Sequence, residues 1–326
     1  MVLRQAEADP PPTVGRPGVT QGRYGERGNL ELVVPAASGG FWVFWWNADP
    51  VDHRSGAVRG RWSGGLHRQL PGRGDGDRVA RIAQVRPGPD FLEVLALRAG
   101  AVRRLHWTPQ DGFVDDGDVA TGCADVSAPV EAGAALVVLT VGADGGLAQG
   151  SAALGSSYPD LAWTWKPVAL PVRARRASLA ASVSGDELLA AVVAGDGRVL
   201  TGERPAAGWR WGEPAAPEPM TDAVVVAHGS DARLVACGRG GGLLTAARTG
   251  PEWSGMSPVA GDPGGWTAVA AAATNLDGEP IVVVGRRGGV LWQGWLHEEP
   301  GGLRLTGAEA LRSRVWLEPG QPVHRG

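Results

Sequence analysis

Tryptophan, arginine and glutamate recur together in the second half of the chain, in groups that suit the binding of a hydroxylated ring. An indole ring offers a broad apolar face with one N–H donor, while arginine and glutamate form charge-assisted hydrogen bonds with hydroxyl groups. A pyranose ring requires both. The candidate ligand-binding residues are Arg204, Trp209, Trp211, Arg248, Glu252, Trp253, Trp292 and Trp295, with Glu203 and Glu298 beside them. The alternative for each tryptophan is a purely structural role, packing between neighbouring units of the fold.

Several catalytic chemistries lack their signatures. Lys166 is the single lysine and stands in no Gly-x-x-x-x-Gly-Lys motif. Leu243 occupies the last glycine position of the fingerprint that Gly238–Gly242 would begin, so this segment predicts a hairpin turn. Gly-x-Ser-x-Gly, Cys-x-x-Cys and His-Glu-x-x-His are absent from the sequence. We therefore expect no catalytic residue, although His228, at the end of an apolar strand, is the histidine to examine.

Two acidic clusters contain the oxygen ligands that calcium prefers. They are Asp75-Gly-Asp77 and Asp115-Asp-Gly-Asp118. Neither is followed by the further ligands of a specific calcium loop, so ordinary turns are the preferred interpretation. The sequence predicts no metal site and no cofactor.

Composition limits the fold and the partners. The 326 residues include 51 Gly and 25 Pro, too many for a helical bundle, and the net charge of −3 shows no nucleic-acid footprint. No apolar run is long enough for a signal peptide or a membrane span. Cys123 and Cys237 are expected to be buried, reduced thiols. We expect a cytoplasmic protein, or one exported without a classical signal peptide.

One pattern recurs along the chain: a short apolar strand, a glycine-rich turn and a second short strand. Its copies begin near residues 29, 92, 136, 187, 233 and 280. A third strand of small or β-branched residues precedes most copies, and a tryptophan-bearing segment usually follows. About four strands per unit is the size of a β-propeller blade. The sequence thus predicts an all-β propeller with six antiparallel four-stranded blades. Seven blades and a β-sandwich are the alternatives.

The ends of the chain fall outside the repeats. Residues 1–18 contain a proline-rich stretch without periodicity and are predicted to form a flexible arm. The propeller domain would then span residues 19–326. Closure of the ring requires its ends to meet, and we expect the strand around Val315–Leu317 to join the blade that contains Val19–Tyr24.

The first unit carries a family resemblance. Tyr24-GERGNLELVVP is followed by Gly39-GFWVFWWN and then by Arg61-Trp62. Residues 24–62 resemble the blade repeat of bacterial lectin-like propellers related to the Photorhabdus luminescens lectin. The second unit echoes it at Leu92-Glu-Val, and the other units keep only the apolar and glycine skeleton. The resemblance implies a ring of blades with sugar-binding pockets between them.

Three functions remain open at this stage. The first is a non-enzymatic recognition propeller that binds a glycan. The second is a scaffold that binds a protein partner through one face of the disc. The third is an enzyme with its site over the central channel, for which no specific motif is present.

Overall fold

The computed structural model describes residues 4–8, 12–23, 27–49, 51–52, 57–70, 79–85, 91–155, 158–182, 187–205, 208–228, 231–300 and 302–317. Its first seven strands are β1 (Arg4–Ala8), β2 (Gly18–Gln21), β3 (Leu30–Pro35), β4 (Phe41–Trp46), β5 (Val51–Asp52), β6 (Ala57–Val58) and β7 (Trp62–Arg68). The next nine are β8 (Val79–Gln84), β9 (Leu92–Arg98), β10 (Ala101–Thr108), β11 (Gly112–Ala120), β12 (Cys123–Val126), β13 (Val130–Ala132), β14 (Ala135–Gly142), β15 (Leu147–Ala153) and β16 (Thr164–Val168).

The remaining strands complete the second half. They are β17 (Ala174–Ala181), β18 (Leu188–Ala194), β19 (Val199–Arg204), β20 (Arg210–Gly212), β21 (Met220–His228), β22 (Asp231–Gly238), β23 (Leu243–Thr249), β24 (Glu252–Trp253), β25 (Ser257–Pro258), β26 (Trp266–Leu276), β27 (Glu279–Arg287), β28 (Val290–Glu299), β29 (Gly302–Ala310) and β30 (Ser313–Leu317). The described part of the chain contains no helix of the length and apolar character needed to cross a bilayer.

These strands form six antiparallel blades around a central channel. Blade 1 is built on β2, β3, β4 and β7; blade 2 on β8–β11; blade 3 on β12–β16; blade 4 on β17–β20; blade 5 on β21–β25; and blade 6 on β26–β29. The innermost strands β2, β8, β12, β17, β21 and β26 contact one another in ring order. The prediction of a six-bladed propeller is confirmed, and the strands of small or β-branched residues that precede the repeated hairpins are innermost in their blades.

The apolar core lies between the blades. Among the described residues, six apolar clusters occur, one at each blade interface. Both faces of a blade are therefore covered, which explains why a central strand such as β18 is buried at every position. Strands buried on both faces read as continuous apolar runs, because no side of the pleat meets water.

Polar side chains join the innermost strands at one end of the channel. The Asp125 carboxylate accepts a hydrogen bond from the Ala177 amide of the next blade at 2.8 Å. The Asp222 carboxylate accepts one from the Val269 amide at 3.0 Å. Each innermost strand is a sheet edge, so these carboxylates satisfy main-chain donors that the sheets leave unpaired.

The two ends of the chain meet in blade 1. β30 lies between β7 and β1, parallel to the former and antiparallel to the latter. The terminal strand thus joins the expected blade, but at its outer edge rather than beside Val19–Tyr24. Here β30 pairs with the last regular strand of the blade, since β2 faces the channel. Tyr24 itself lies outside the described residues.

The expected N-terminal arm is not detached in its described part. β1 is paired within blade 1, and the Val14 amide donates to Pro35 O at 2.9 Å. Arg16 is only 4% exposed, because its guanidinium lies at the channel between Asp125 and Asp222. The segment is thus held by strand pairing, by main-chain hydrogen bonds and by the Arg16 side chain, none of which requires a periodic apolar face in the sequence.

Candidate functional site

Three successive blade interfaces carry an arginine–carboxylate pair on the same face of the disc. This face, here called the mouth face, is the one where the C-terminal ends of the innermost strands lie. The pairs are Arg248 with Glu187 and Glu203 between blades 4 and 5, Arg233 with Glu298 between blades 5 and 6, and Arg27 with Asp277 between blades 6 and 1. Each pair joins two blades and combines cationic donors with anionic acceptors.

The groove between blades 6 and 1 also contains an aromatic wall. Its cavity has a volume of about 160 Å³ and is lined by Arg27, Trp46, Arg59, Asp277 and Trp295, among others. The Arg27 Nη1 donates to Asp277 Oδ2 at 2.7 Å, and these side chains are 37% and 82% exposed. Since both remain open to solvent, their remaining hydrogen-bonding atoms are accessible to a ligand.

A glycine turn positions Arg27 in this groove, and aromatic packing positions Trp46. Gly28 has a φ of +74°, and a Cβ there would lie 2.2 Å from Gly22 O, so the β2–β3 turn that presents Arg27 requires glycine. The Gln21 side-chain amide donates to Gly28 O at 2.9 Å. Trp46 packs edge-on against Trp62 and Trp295, with ring centroids 5.7 and 5.3 Å away. These contacts fix the position of the Trp46 ring in the aromatic wall of the groove.

The groove between blades 5 and 6 is larger. Its cavity of about 260 Å³ is lined by Arg233, Glu298, Ser254 and Ser257, among others. The Arg233 guanidinium donates to Glu298, a side chain that is 63% exposed. Glu298 is one of the acids that the sequence placed beside the candidate residues.

The groove between blades 4 and 5 brings together Glu203, Arg248 and Trp253. Arg248 donates to Glu187 through both terminal nitrogens, at 3.1 and 2.7 Å, and to Glu203 at 2.7 Å. Burial alone would lower the pKa of Arg248, but the two carboxylates outweigh it and raise the pKa. Trp253 is the cross-strand partner of Arg248 and packs on the apolar cluster of this interface. Arg204 and Glu252 are exposed nearby in sequence.

Trp209 and Trp211 lie at a different interface, between blades 3 and 4. Their rings stack on each other with centroids 5.3 Å apart. The Trp209 indole donates to Gln149 Oε1 at 3.1 Å, and the Trp211 indole donates to Ala169 O at 3.0 Å. Both therefore belong to the packing of blade 4 against blade 3.

The last two candidate tryptophans are separated from each other. Trp292 lies beneath the Arg287 guanidinium, 4.3 Å from the ring centroid. Trp295 is 7% exposed and packs against Trp46 in the groove between blades 6 and 1. The eight candidate residues therefore do not form one site. They are distributed over the interfaces of blades 3 to 6 and blade 1.

In the described part of the chain, the acidic cluster at residues 115–118 is engaged by arginine and histidine side chains. Asp115 and Asp118 bind Arg103, and Asp116 binds Arg104 and His106. These carboxylates lie within β11 rather than in the expected turn, and they are engaged in ion pairs with side chains of the neighbouring strand β10. Asp75 and Asp77 lie outside the described residues, as does the side chain of His228.

Comparison with known proteins defines the class of fold. No family model matches the chain, and no curated protein matches it. Among solved structures, a lectin from Aleuria aurantia with a six-bladed propeller fold is 13% identical, with a TM-score of 0.68 over 97% of this chain and 100% of that chain. The lectin BP39L from Burkholderia pseudomallei is 17% identical, with a TM-score of 0.64 over 90% and 84%. These likenesses establish a six-bladed β-propeller.

A third similar structure also aligns with nearly the whole chain. AofleA from Arthrobotrys oligospora is 14% identical, with a TM-score of 0.62 over 97% of this chain and 93% of that chain. The structure of the Aleuria aurantia lectin is described with a novel fucose recognition mode. At these identities the likeness concerns the fold and not the site.

Sequence reasoning missed Arg27, Arg59, Asp277, Arg233 and Glu187. Their partners lie far away in the chain; Arg27 and Asp277, for example, are 250 residues apart. One signal was available, because Arg27, Trp46 and Arg59 all fall within residues 24–62, the segment with the lectin-like resemblance. Arg27 and Arg59 sit in turns at the ends of its strands, where ligand-binding residues of a rigid scaffold usually lie.

Proposed function

We propose that this protein is a non-enzymatic, carbohydrate-binding propeller whose principal site is the groove between blades 6 and 1. The observation that carries the proposal is the placement of Trp46 beside the exposed Arg27–Asp277 pair in an inter-blade cavity. The indole supplies an apolar surface for the C–H face of a pyranose. Arg27 donates to ring hydroxyls and Asp277 accepts from them, each through a charge-assisted hydrogen bond.

Two further lines of support come from outside the groove. Similar structures of the same fold are lectins, one of them in complex with alpha-methyl-L-fucoside. Residues 24–62, which provide six of the nine residues that line the groove, also carry the resemblance to the Photorhabdus luminescens lectin group. The proposal includes a relationship to this lectin group, and it includes a glycan as the binding partner.

The test is a glycan-array screen of the purified chain, followed by calorimetry with the best-binding saccharide and with alpha-methyl-L-fucoside. Arg27→Ala and Asp277→Ala are each expected to weaken binding about tenfold or more, since a hydrogen bond to a charged group contributes about 1.5–3 kcal/mol. The Asp277 side chain is 82% exposed and the Arg27 side chain 37% exposed, and neither residue belongs to an apolar core cluster.

A matched control comes from a second exposed ion pair. Arg198 and Asp196 are 50% and 55% exposed, and their closest atoms are 2.8 Å apart. Arg198→Ala is expected to leave saccharide binding unchanged. Binding that survives both groove variants would refute this site, and an array without any binding by the folded protein would refute the function.

The scaffold hypothesis has less support on the described surface. Leu66 and Val290 are the exposed large apolar side chains among the described residues, at 61% and 44%. They do not make up the extensive apolar patch that a protein-binding face usually presents. A partner bound through polar loops stays a prediction, and so does the cytoplasmic or non-classically exported location.

A further inference from the structure

Arg59 is a second cationic side chain in the groove between blades 6 and 1. Among the described residues, the charged side chains that line this cavity are Arg27, Arg59 and Asp277. Asp277 binds Arg27, whereas no carboxylate binds the Arg59 guanidinium within the described part of the chain. Arg59 is also exposed to solvent. Its charge and its N–H donors are therefore available to a ligand in the groove.

The acidic side chains of this region are engaged on the Arg27 side of the cavity. The Asp277 Oδ2 accepts from the Arg27 guanidinium at 2.7 Å. The Asp49 Oδ1 accepts from the Arg27 main-chain amide at 3.2 Å, and Asp49 is not one of the residues that line the cavity. The groove is thus locally asymmetric, with a paired guanidinium at Arg27 and an unpaired one at Arg59.

A short turn fixes Arg59 beside the aromatic wall. The Gly60 amide donates to Asn47 O at 2.9 Å, and the Asn47 side-chain amide donates to Arg61 O at 2.8 Å. Gly60 has a φ of +71°, and a Cβ there would lie 3.9 Å from Trp46 Cζ2. The turn is therefore held close to the Trp46 ring. A substituent of a sugar stacked on Trp46 can reach Arg59, because both side chains line the same cavity.

We propose that this groove selects acidic saccharides, with the carboxylate or sulfate group of the sugar bound by Arg59. The inference rests on the saccharide site proposed above and names the class of sugar that it takes. A guanidinium presents N–H donors in a planar fork that matches two oxygens of an oxyanion. Trp46 and the Arg27–Asp277 pair contact the ring and its hydroxyls, and Arg59 distinguishes an acidic sugar from its neutral counterpart.

The test compares acidic sugars with neutral sugars of the same ring configuration. The probes are methyl β-D-glucuronide against methyl β-D-glucoside, and methyl β-D-galacturonide against methyl β-D-galactoside. A sulfate ester of methyl β-D-galactoside at the same exocyclic carbon is the third acidic probe. Calorimetry on the full chain at low ionic strength should show one acidic probe binding about fivefold more tightly than its neutral counterpart, the upper range for an exposed ion pair.

The source of the charge and the role of salt are read from the same series. A preference for the uronides identifies a carboxylate as the recognised group, and a preference for the ester alone identifies a sulfate. Either preference should shrink as sodium chloride is added, because salt screens charges that solvent reaches. A preference that does not change with salt would contradict recognition by an exposed guanidinium.

Arg59→Gln tests the contact itself. This variant is expected to lose the preference for the acidic probe while it keeps its affinity for the neutral one. Arg61→Gln is the matched control, because Arg61 is exposed two residues further along and does not line the cavity. It removes the same charge from the same turn and should keep the preference. A preference that survives in the folded Arg59→Gln variant, or that is lost equally in Arg61→Gln, would overturn the proposal.

Failure of this inference and failure of the proposed function give different results. Neutral saccharides that bind in an Arg27-dependent manner, without any gain from an acidic group, would refute the acidic class and leave the saccharide site intact. A folded protein that binds neither neutral nor acidic saccharides would refute the saccharide site and this inference with it.

Discussion

Arg16 and Asp222 form a buried ion pair although 206 residues separate them in the chain, with the Arg16 Nε 2.9 Å from Asp222 Oδ2. Their side chains are 4% and 2% exposed. The same guanidinium binds Asp125 in blade 3. One side chain that precedes the first regular blade strand therefore links blades 3 and 5 across the axis, and through their carboxylates it is connected to blades 4 and 6.

Removal of this arginine should destabilise the ring strongly. Arg16→Met would leave two buried carboxylates without their cation, and breaking a buried pair in this way costs about 3–5 kcal/mol. Chemical unfolding would measure the free energy of unfolding. The exposed pair of Arg198 and Asp196 is the control, and Arg198→Met should leave stability nearly unchanged. Equal effects of the two changes would contradict the proposed importance of Arg16.

Gly202 should tolerate no side chain. It is the cross-strand partner of Trp211, and a Cβ at this position would lie 2.5 Å from Trp211 Cζ3. Gly202→Ala would push the ring out of its stack on Trp209 and is expected to cost about 1–3 kcal/mol. Near-ultraviolet circular dichroism would report the altered stacking. Gly195→Ala is the control, since no atom lies within 4 Å of its Cβ position, and it should leave both stability and spectrum unchanged.

Cys237 should be inert to thiol reagents in the folded protein. Burial raises the pKa of its thiol to about 11, and the Sγ donates to Trp266 O at 3.0 Å. At pH 8 the thiolate fraction is therefore very small, and it rises only as the pH approaches 11. Ellman's reagent should find no reactive Cys237 before unfolding and two thiols afterwards. Rapid labelling of Cys237 at pH 8 in the folded state would contradict this description.

Arg248 should stabilise the contact between blades 4 and 5. Its guanidinium is 11% exposed and binds Glu187 and Glu203 of the neighbouring blade. Arg248→Met keeps the apolar stem but removes these charge-assisted hydrogen bonds, which is expected to lower the free energy of unfolding by about 1.5–3 kcal/mol. Arg210 also binds Glu203 but is 70% exposed. Arg210→Met should therefore change the free energy of unfolding only slightly. A similar loss of stability in both variants would contradict a specific role of Arg248 between the blades.

The architecture could be read from the sequence because each blade repeats a local pattern. Apolar runs such as Leu188–Ala194 and the glycine turns that follow them are specified by neighbouring residues, so blade number followed from their spacing. The site could be predicted only in part. Arg27 meets Asp277, and Arg16 meets Asp222, through ring closure, which local patterns do not encode. The sequence predicts Trp209 and Trp211 as ligand-binding residues, because a stacked packing pair and a sugar platform have the same composition.

The position of β30 between β7 and β1 has a consequence for biosynthesis. Blade 1 is the first blade to leave the ribosome, yet its outer edge waits for residues 313–317, which are translated after all the other blades. The groove between blades 6 and 1 likewise needs residues from both ends of the chain. The proposed saccharide site can therefore form only after blade 6 has been synthesised.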